Sequence, residues 1–249
     1  MGLFDFFTGG GTPAEKAQKL KAKITQKYGE ASARQGAIAD LAKLSSAETV
    51  PVLMLRFSFV VDPQTTDADE KENVFQTISA LDSAAVPHVV DFLKKNDGAS
   101  SWALKILDEV LETPEVIGIV TDELKRLGAE YTRDPEKKQV LLHWLEGRND
   151  ARVGPALLPF LNDMSDDVKL AALKTLASLK FEPMLEPLLT LATGSETAKR
   201  VQTACIQALA ETGFATTGYQ KKIEAMLSDP YTLDKSGVVK RRGGQTAQA

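Results

Sequence analysis

Apolar residues recur along most of this chain at spacings of three and four, the period of an amphipathic helix, while strict apolar and polar alternation is nearly absent. Two kinds of helical segment alternate. One is rich in alanine and leucine, as in Ala37-Ile-Ala-Asp-Leu-Ala-Lys-Leu44, Val74-Phe-Gln-Thr-Ile-Ser-Ala-Leu81, Val140-Leu-Leu-His-Trp-Leu145 and Ala171-Ala-Leu-Lys-Thr-Leu-Ala-Ser-Leu179. The other sets a proline ahead of an apolar run, at Pro51, Pro87, Pro155 and Pro183. Proline is tolerated there because its missing N–H has no partner in a first helical turn. Thr12-Pro-Ala-Glu15 and Ser45-Ser-Ala-Glu48 fit capping boxes, in which the hydroxyl accepts from the third helical N–H and the carboxylate accepts from the cap N–H. Thr113-Pro114 and Asp134-Pro135 place a capping oxygen ahead of a proline.

The segments repeat. Ala171-Ala-Leu-Lys-Thr-Leu-Ala177 aligns without gaps on Ala204-Cys-Ile-Gln-Ala-Leu-Ala210, 33 residues on, and Pro51 and Pro87 are 36 apart. Periods of this size belong to arrays of helix pairs, each too small to hide its apolar faces alone. Leu157-Leu-Pro-Phe-Leu161, Asp163, Asp167-Val-Lys169, Ala171-Ala172 and Leu176 resemble the HEAT repeat, with Lys169 where that family usually has arginine. The resemblance is good over about 153–212 and holds at pattern level over about 30–150. It implies an all-α, right-handed α–α superhelix, armadillo-like, of about six helix pairs. The chain then reads as an apolar tip and glycine hinge (1–12), a solenoid (13–235) and a polar tail (236–249) expected to lack structure.

Charge and cysteine usage narrow the function. With 30 Lys plus Arg against 34 Asp plus Glu, the net charge of −4 disfavours nucleic acid as the partner. The one cysteine, Cys205, lies in an apolar stripe and reads as packing, in keeping with a cytoplasmic protein. No apolar run approaches membrane-spanning length, and the opening Met1-Gly-Leu-Phe-Asp-Phe-Phe7 lacks the basic start of a secretory signal.

Candidate chemistry is sparse. His88 and His143, the two histidines, stand apart from ligands at metal spacing, and no P-loop or EF-hand spacing occurs, so no metal and no cofactor is expected. The acid-rich stretch 62–72 reads as a long loop before a helix starting near Glu70, with Asp67, Asp69 and Glu70 as a docking site for a basic partner. Trp102, His143, Lys169, Lys174, Arg200 and Gln207, on or near second helices, are candidates for partner contact, because that helix row lines the inner curve of HEAT proteins; Trp144 reads as core. Leu3, Phe4, Phe6 and Phe7, followed by a lysine-rich helix, are a candidate tip for a partner groove or an anionic membrane surface, or else fold back to cap the first apolar face of the solenoid. The leading expectation is a non-enzymatic protein-binding scaffold. The alternatives are an accessory enzyme, similar to chromophore lyases or to DNA glycosylases built from such repeats, and an adaptor peripheral to the inner membrane face.

Overall fold

A computed structural model describes residues 10–243. Thirteen α-helices are found among them, several extended by 3-10 turns, with one short hairpin at the C-terminal end. The all-α expectation holds. The described residues divide into two compact units, separated between Val116 and Ile117.

In the first unit, helices α1 (Pro13–Ile24), α3 (Val50–Leu53) and α5 (Val86–Lys95) form one row, and α2 (Ala31–Lys43), α4 (Gln64–Ser79) and α6 (Ser100–Val110) form a second row against it. Each first helix pairs with the second helix that follows. The Thr12 capping box is present in both directions, with Pro13 in the first turn, and α1 buries Ala17, Leu20 and Ile24 at helical spacing. The second predicted box does not form. The Ser45 hydroxyl donates to the Ala42 carbonyl, Ser46 takes the cap by accepting from the Glu48 N–H of a 3-10 turn, and the Glu48 carboxylate accepts from the Ala14 N–H and so ties α1 to the next pair.

The unit boundary falls within α7 (Thr113–Leu127), whose first residue is Thr113 itself, so this threonine is not the cap expected of it. In the second unit α8 (Glu136–Trp144), α10 (Asp166–Ser178) and α12 (Lys199–Thr212) form the second-helix row. Asp134 does cap α8, accepting from the Glu136 N–H at 3.0 Å. The first helices here are α9 (Val153–Leu157), continued as a 3-10 turn over Leu158–Asn162, and α11 (Leu185–Thr193). Pro159 explains the tightening, since it cannot donate to an i−4 carbonyl. A Cβ on Gly154 would lie 2.4 Å from the Phe181 ring, so glycine there permits the close approach of neighbouring pairs.

After α13 (Gln220–Met226), strands β1 (Tyr231–Leu233) and β2 (Val239–Arg241) pair antiparallel, with Val239 buried. This corrects the expectation of an unstructured tail from 236, as far as residue 243. The Asp234 carboxylate accepts from the Ser236 and Val238 N–H groups, and Gly237 takes the positive φ that the turn requires.

Candidate functional site

The sequence-predicted positions separate on the fold. Asp67 and Glu70 are not docking residues. The helix α4 begins at Gln64, six residues earlier than expected, and carries both carboxylates inward. Glu70, with no solvent exposure, accepts from Arg34 Nε at 3.0 Å and Arg56 Nε at 2.7 Å, and Asp67 accepts from Arg56 at 2.8 Å and Lys71 at 2.7 Å. Two buried guanidinium groups demand such partners. Of the three predicted docking acids, Asp69 alone stays exposed. Burial works against the Asp67 carboxylate, but bonds from Lys71, Arg56 and the Val61 N–H outweigh it and hold its pKa below the ordinary aspartate value.

These charges also reach the backbone of the connections between first and second helices. Arg34 donates to the Gln26 and Gly29 carbonyls at 3.1 and 2.6 Å, Arg56 donates to the Phe59 carbonyl at 3.1 Å, and Asp67 accepts from the Val61 N–H at 3.0 Å. The second unit repeats the device. Lys138, 1% exposed, donates to the Glu130 carbonyl and to Asp163, both at 2.7 Å, and Asp163 accepts from the Ser165 N–H. Beside it, Glu123 pairs with buried Lys137 at 2.8 Å and with Arg126 at 2.7 Å. Desolvation pushes the Glu123 pKa up, but the bonds from Arg126 and Lys137 prevail and leave it lowered.

The other candidates lie on the second-helix rows. Trp102 is half-buried, stacked on Phe57 at 4.7 Å, with the Lys105 ammonium 4.8 Å from its ring centre. His143 and Gln207 are exposed. Lys169 pairs with Asp166, Lys174 with Glu146, and Arg200 with Asp166 and Asp167, so these cations are already engaged within the second unit. Trp144 is half-buried rather than core, with the Arg148 guanidinium over its face at 3.6 Å. Cys205 is buried, and burial pushes its thiol up to about 12. Leu3, Phe4, Phe6 and Phe7 lie outside the described residues.

Periodicity did not point to a groove across the first-helix row of the first unit. Gln18 and Lys21 from α1, Pro51, Val52 and Leu55 from the second pair, and His88, Asp91, Phe92, Lys95 and Asn96 from the third line a space of about 180 Å³. Its floor is apolar and its rim carries both signs of charge, with Lys95 bonded to Asp91 at 2.9 Å. Among the described residues no three His, Cys, Asp or Glu side chains gather as a metal site, and no helix is long and apolar enough to cross a membrane.

Comparison with known proteins gives little to add. No family model and no curated protein matches the chain. Among solved structures, human deoxyhypusine hydroxylase in complex with glycerol aligns over 88% of this chain and 91% of its own, at 15% identity and a TM-score of 0.35. That protein is an enzyme. The expectation of a non-enzymatic scaffold is corrected on this finding; at this overlap nothing of that protein's chemistry transfers.

Proposed function

We propose that this chain is an accessory member of an enzymatic system, holding an extended segment of a polypeptide substrate in the groove across its first-helix row. The observation that carries the reading is the make-up of that groove, where the second and third helix pairs supply an apolar floor and the first and third supply a polar rim. A space of about 180 Å³ is smaller than the ~300–1,000 Å³ of a pocket for a drug-sized ligand. It suits one or two side chains of a chain that continues along the surface. Val52, Leu55 and Phe92 would take an apolar side chain, while Lys21, Asp91 and Asn96 offer donors and acceptors to the flanking backbone. His88 brings to the rim an imidazole, the side chain most used in proton transfer.

Selection of phage-displayed dodecapeptides on the full chain tests the groove. Peptides with one large apolar residue in a polar setting should be enriched, and Leu55→Asp should abolish the enrichment. An identical peptide set on the wild type and on Leu55→Asp sinks the reading. The enzymatic half is tested by a photo-crosslinker at position 91 in the source cells, which should label an enzyme or its substrate; adducts to neither reject it.

A further inference from the structure

The four large apolar side chains that stand most exposed among the described residues are Tyr28 (93%), Val60 (56%), Tyr131 (71%) and Met164 (71%). Tyr28, Val60 and Met164 occupy connections that lead from a first helix to its second helix and Tyr131 occupies the connection from α7 to α8, and each connection is fastened by the buried charges described above. Arg34 holds the carbonyls on both sides of Tyr28, at Gln26 and Gly29. Arg56 and Asp67 hold Phe59 and Val61, the two neighbours of Val60. Lys138 holds Glu130, next to Tyr131, and Asp163 holds Ser165 and itself precedes Met164.

Burying charge is a poor way to gain stability, since apolar replacements of similar volume are often neutral or better. What the clusters do achieve is a fixed backbone under exposed apolar side chains, which lowers the ordering cost of docking. Glu70, bonded to both arginines, links the first two connections of its unit.

We infer that these connections form a docking edge in each unit for a partner protein whose matching face is basic and holds apolar pockets. The sign of the partner follows from the charges along the edge. In the first unit the connections 25–30 and 59–63 carry Lys27 against Glu30 and Asp62, one positive and two negative, a net of −1. In the second, 128–135 carries Arg133 against Glu130 and Asp134, again −1, while Asp163 is neutralised by Lys138. Acidic surroundings disfavour insertion of the tyrosines into an anionic bilayer. Neither Tyr28 nor Val60 lines the groove.

The test is site-specific crosslinking with the full chain in its source cells. Benzoylphenylalanine is placed singly at 28, 60, 131 and 164, with 143 and 207 as second-helix controls and 91 reporting on the groove. The edge positions should give a protein adduct that the controls lack. The crosslinked peptide should lie on a Lys- and Arg-rich surface, and Tyr28→Ser with Val60→Ser should weaken the complex at least tenfold while leaving the melting curve unchanged. No adduct at the edge, an acidic partner surface, or adducts to lipid would overturn the inference. Adducts at 91 alone would overturn it while leaving the groove reading intact, and edge adducts without any at 91 would do the reverse.

Discussion

Glu70→Gln isolates the central bond set of the first unit. The wild-type carboxylate has no exposure and accepts from two guanidinium groups that are themselves 2% and 0% exposed. Glutamine keeps one oxygen acceptor but removes the charge, so Arg34, Arg56 and Lys71 are left facing Asp67 alone. Breaking a buried pair by removing one partner costs about 3–5 kcal/mol. At roughly 4 °C per kcal/mol for a unit of this size, the melting temperature should fall by about 12–20 °C. The control is Glu72→Gln, which breaks the half-exposed, solvent-screened pair to Lys105 and should cost far less. Urea melts followed by circular dichroism give both numbers. A loss for Glu70→Gln no larger than for Glu72→Gln would refute the claim that the cluster is coupled. A companion variant, Arg34→Met with Arg56→Leu and Glu70→Leu, should recover most of the stability but speed hydrogen exchange at the amides of residues 27–29, because the tether to the Gln26 and Gly29 carbonyls is gone.

The Asp67 pKa lies lower in the folded chain than its ordinary value, so the stability it contributes is present at neutral pH and is lost as pH falls through the folded pKa. Urea midpoints between about pH 5 and pH 3 should decline less steeply for Asp67→Asn than for the wild type, and parallel declines would reject that assignment. Cys205, with its thiol raised to about 12, should resist a disulfide reagent until the chain unfolds; rapid native labelling would contradict the burial. Gly154→Ala should cost about 1–3 kcal/mol by overpacking against Phe181, and Phe181→Leu in the same chain should restore part of it, whereas a neutral Gly154→Ala would show that the neighbouring pair yields.

The helix rows were legible because they rest on period alone. Ala37, Leu41, Leu142, Leu145, Ala172 and Leu176 all fall in the core as the stripe requires. The charged clusters were missed because charged residues were assigned to solvent by type. The signal was nevertheless present, since Arg34 precedes Ala37, Ile38 and Leu41 by three, four and seven residues, and Lys138 stands in the same relation to Leu141, Leu142 and Leu145. A charge in register with an apolar stripe should be read as buried and in need of a partner. Glu70 keeps step with Val74 and Ile78 in the same way, so Arg34 and Glu70, two members of one cluster, could have been matched to each other. The hairpin was hidden by its length, for three-residue strands leave too little alternation to detect, and the turn chemistry of Asp234 to Gly237 was its sole mark. The groove was out of reach for a different reason. It depends on residues from α1, the second pair and α5 facing one space, and spacing within any one helix says nothing of that.

Stability and placement therefore reside in different parts of each pair. The helix rows hold the apolar side chains and would hold together with apolar residues at every inward position. The buried charges sit at one end, where the chain passes from first helix to second, and their bonds go as much to loop carbonyls and amides as to each other. If their purpose were stability, the exposed side chains above them would be free to vary in kind, and polar residues would serve better in water. Instead those fastened connections display tyrosine, valine and methionine. Exposed apolar side chains on rigid backbone are costly to keep and useful only against a complementary surface, and that pairing of cost with rigidity is why the loop edge, more than the helix faces, is where contact with another protein should be sought.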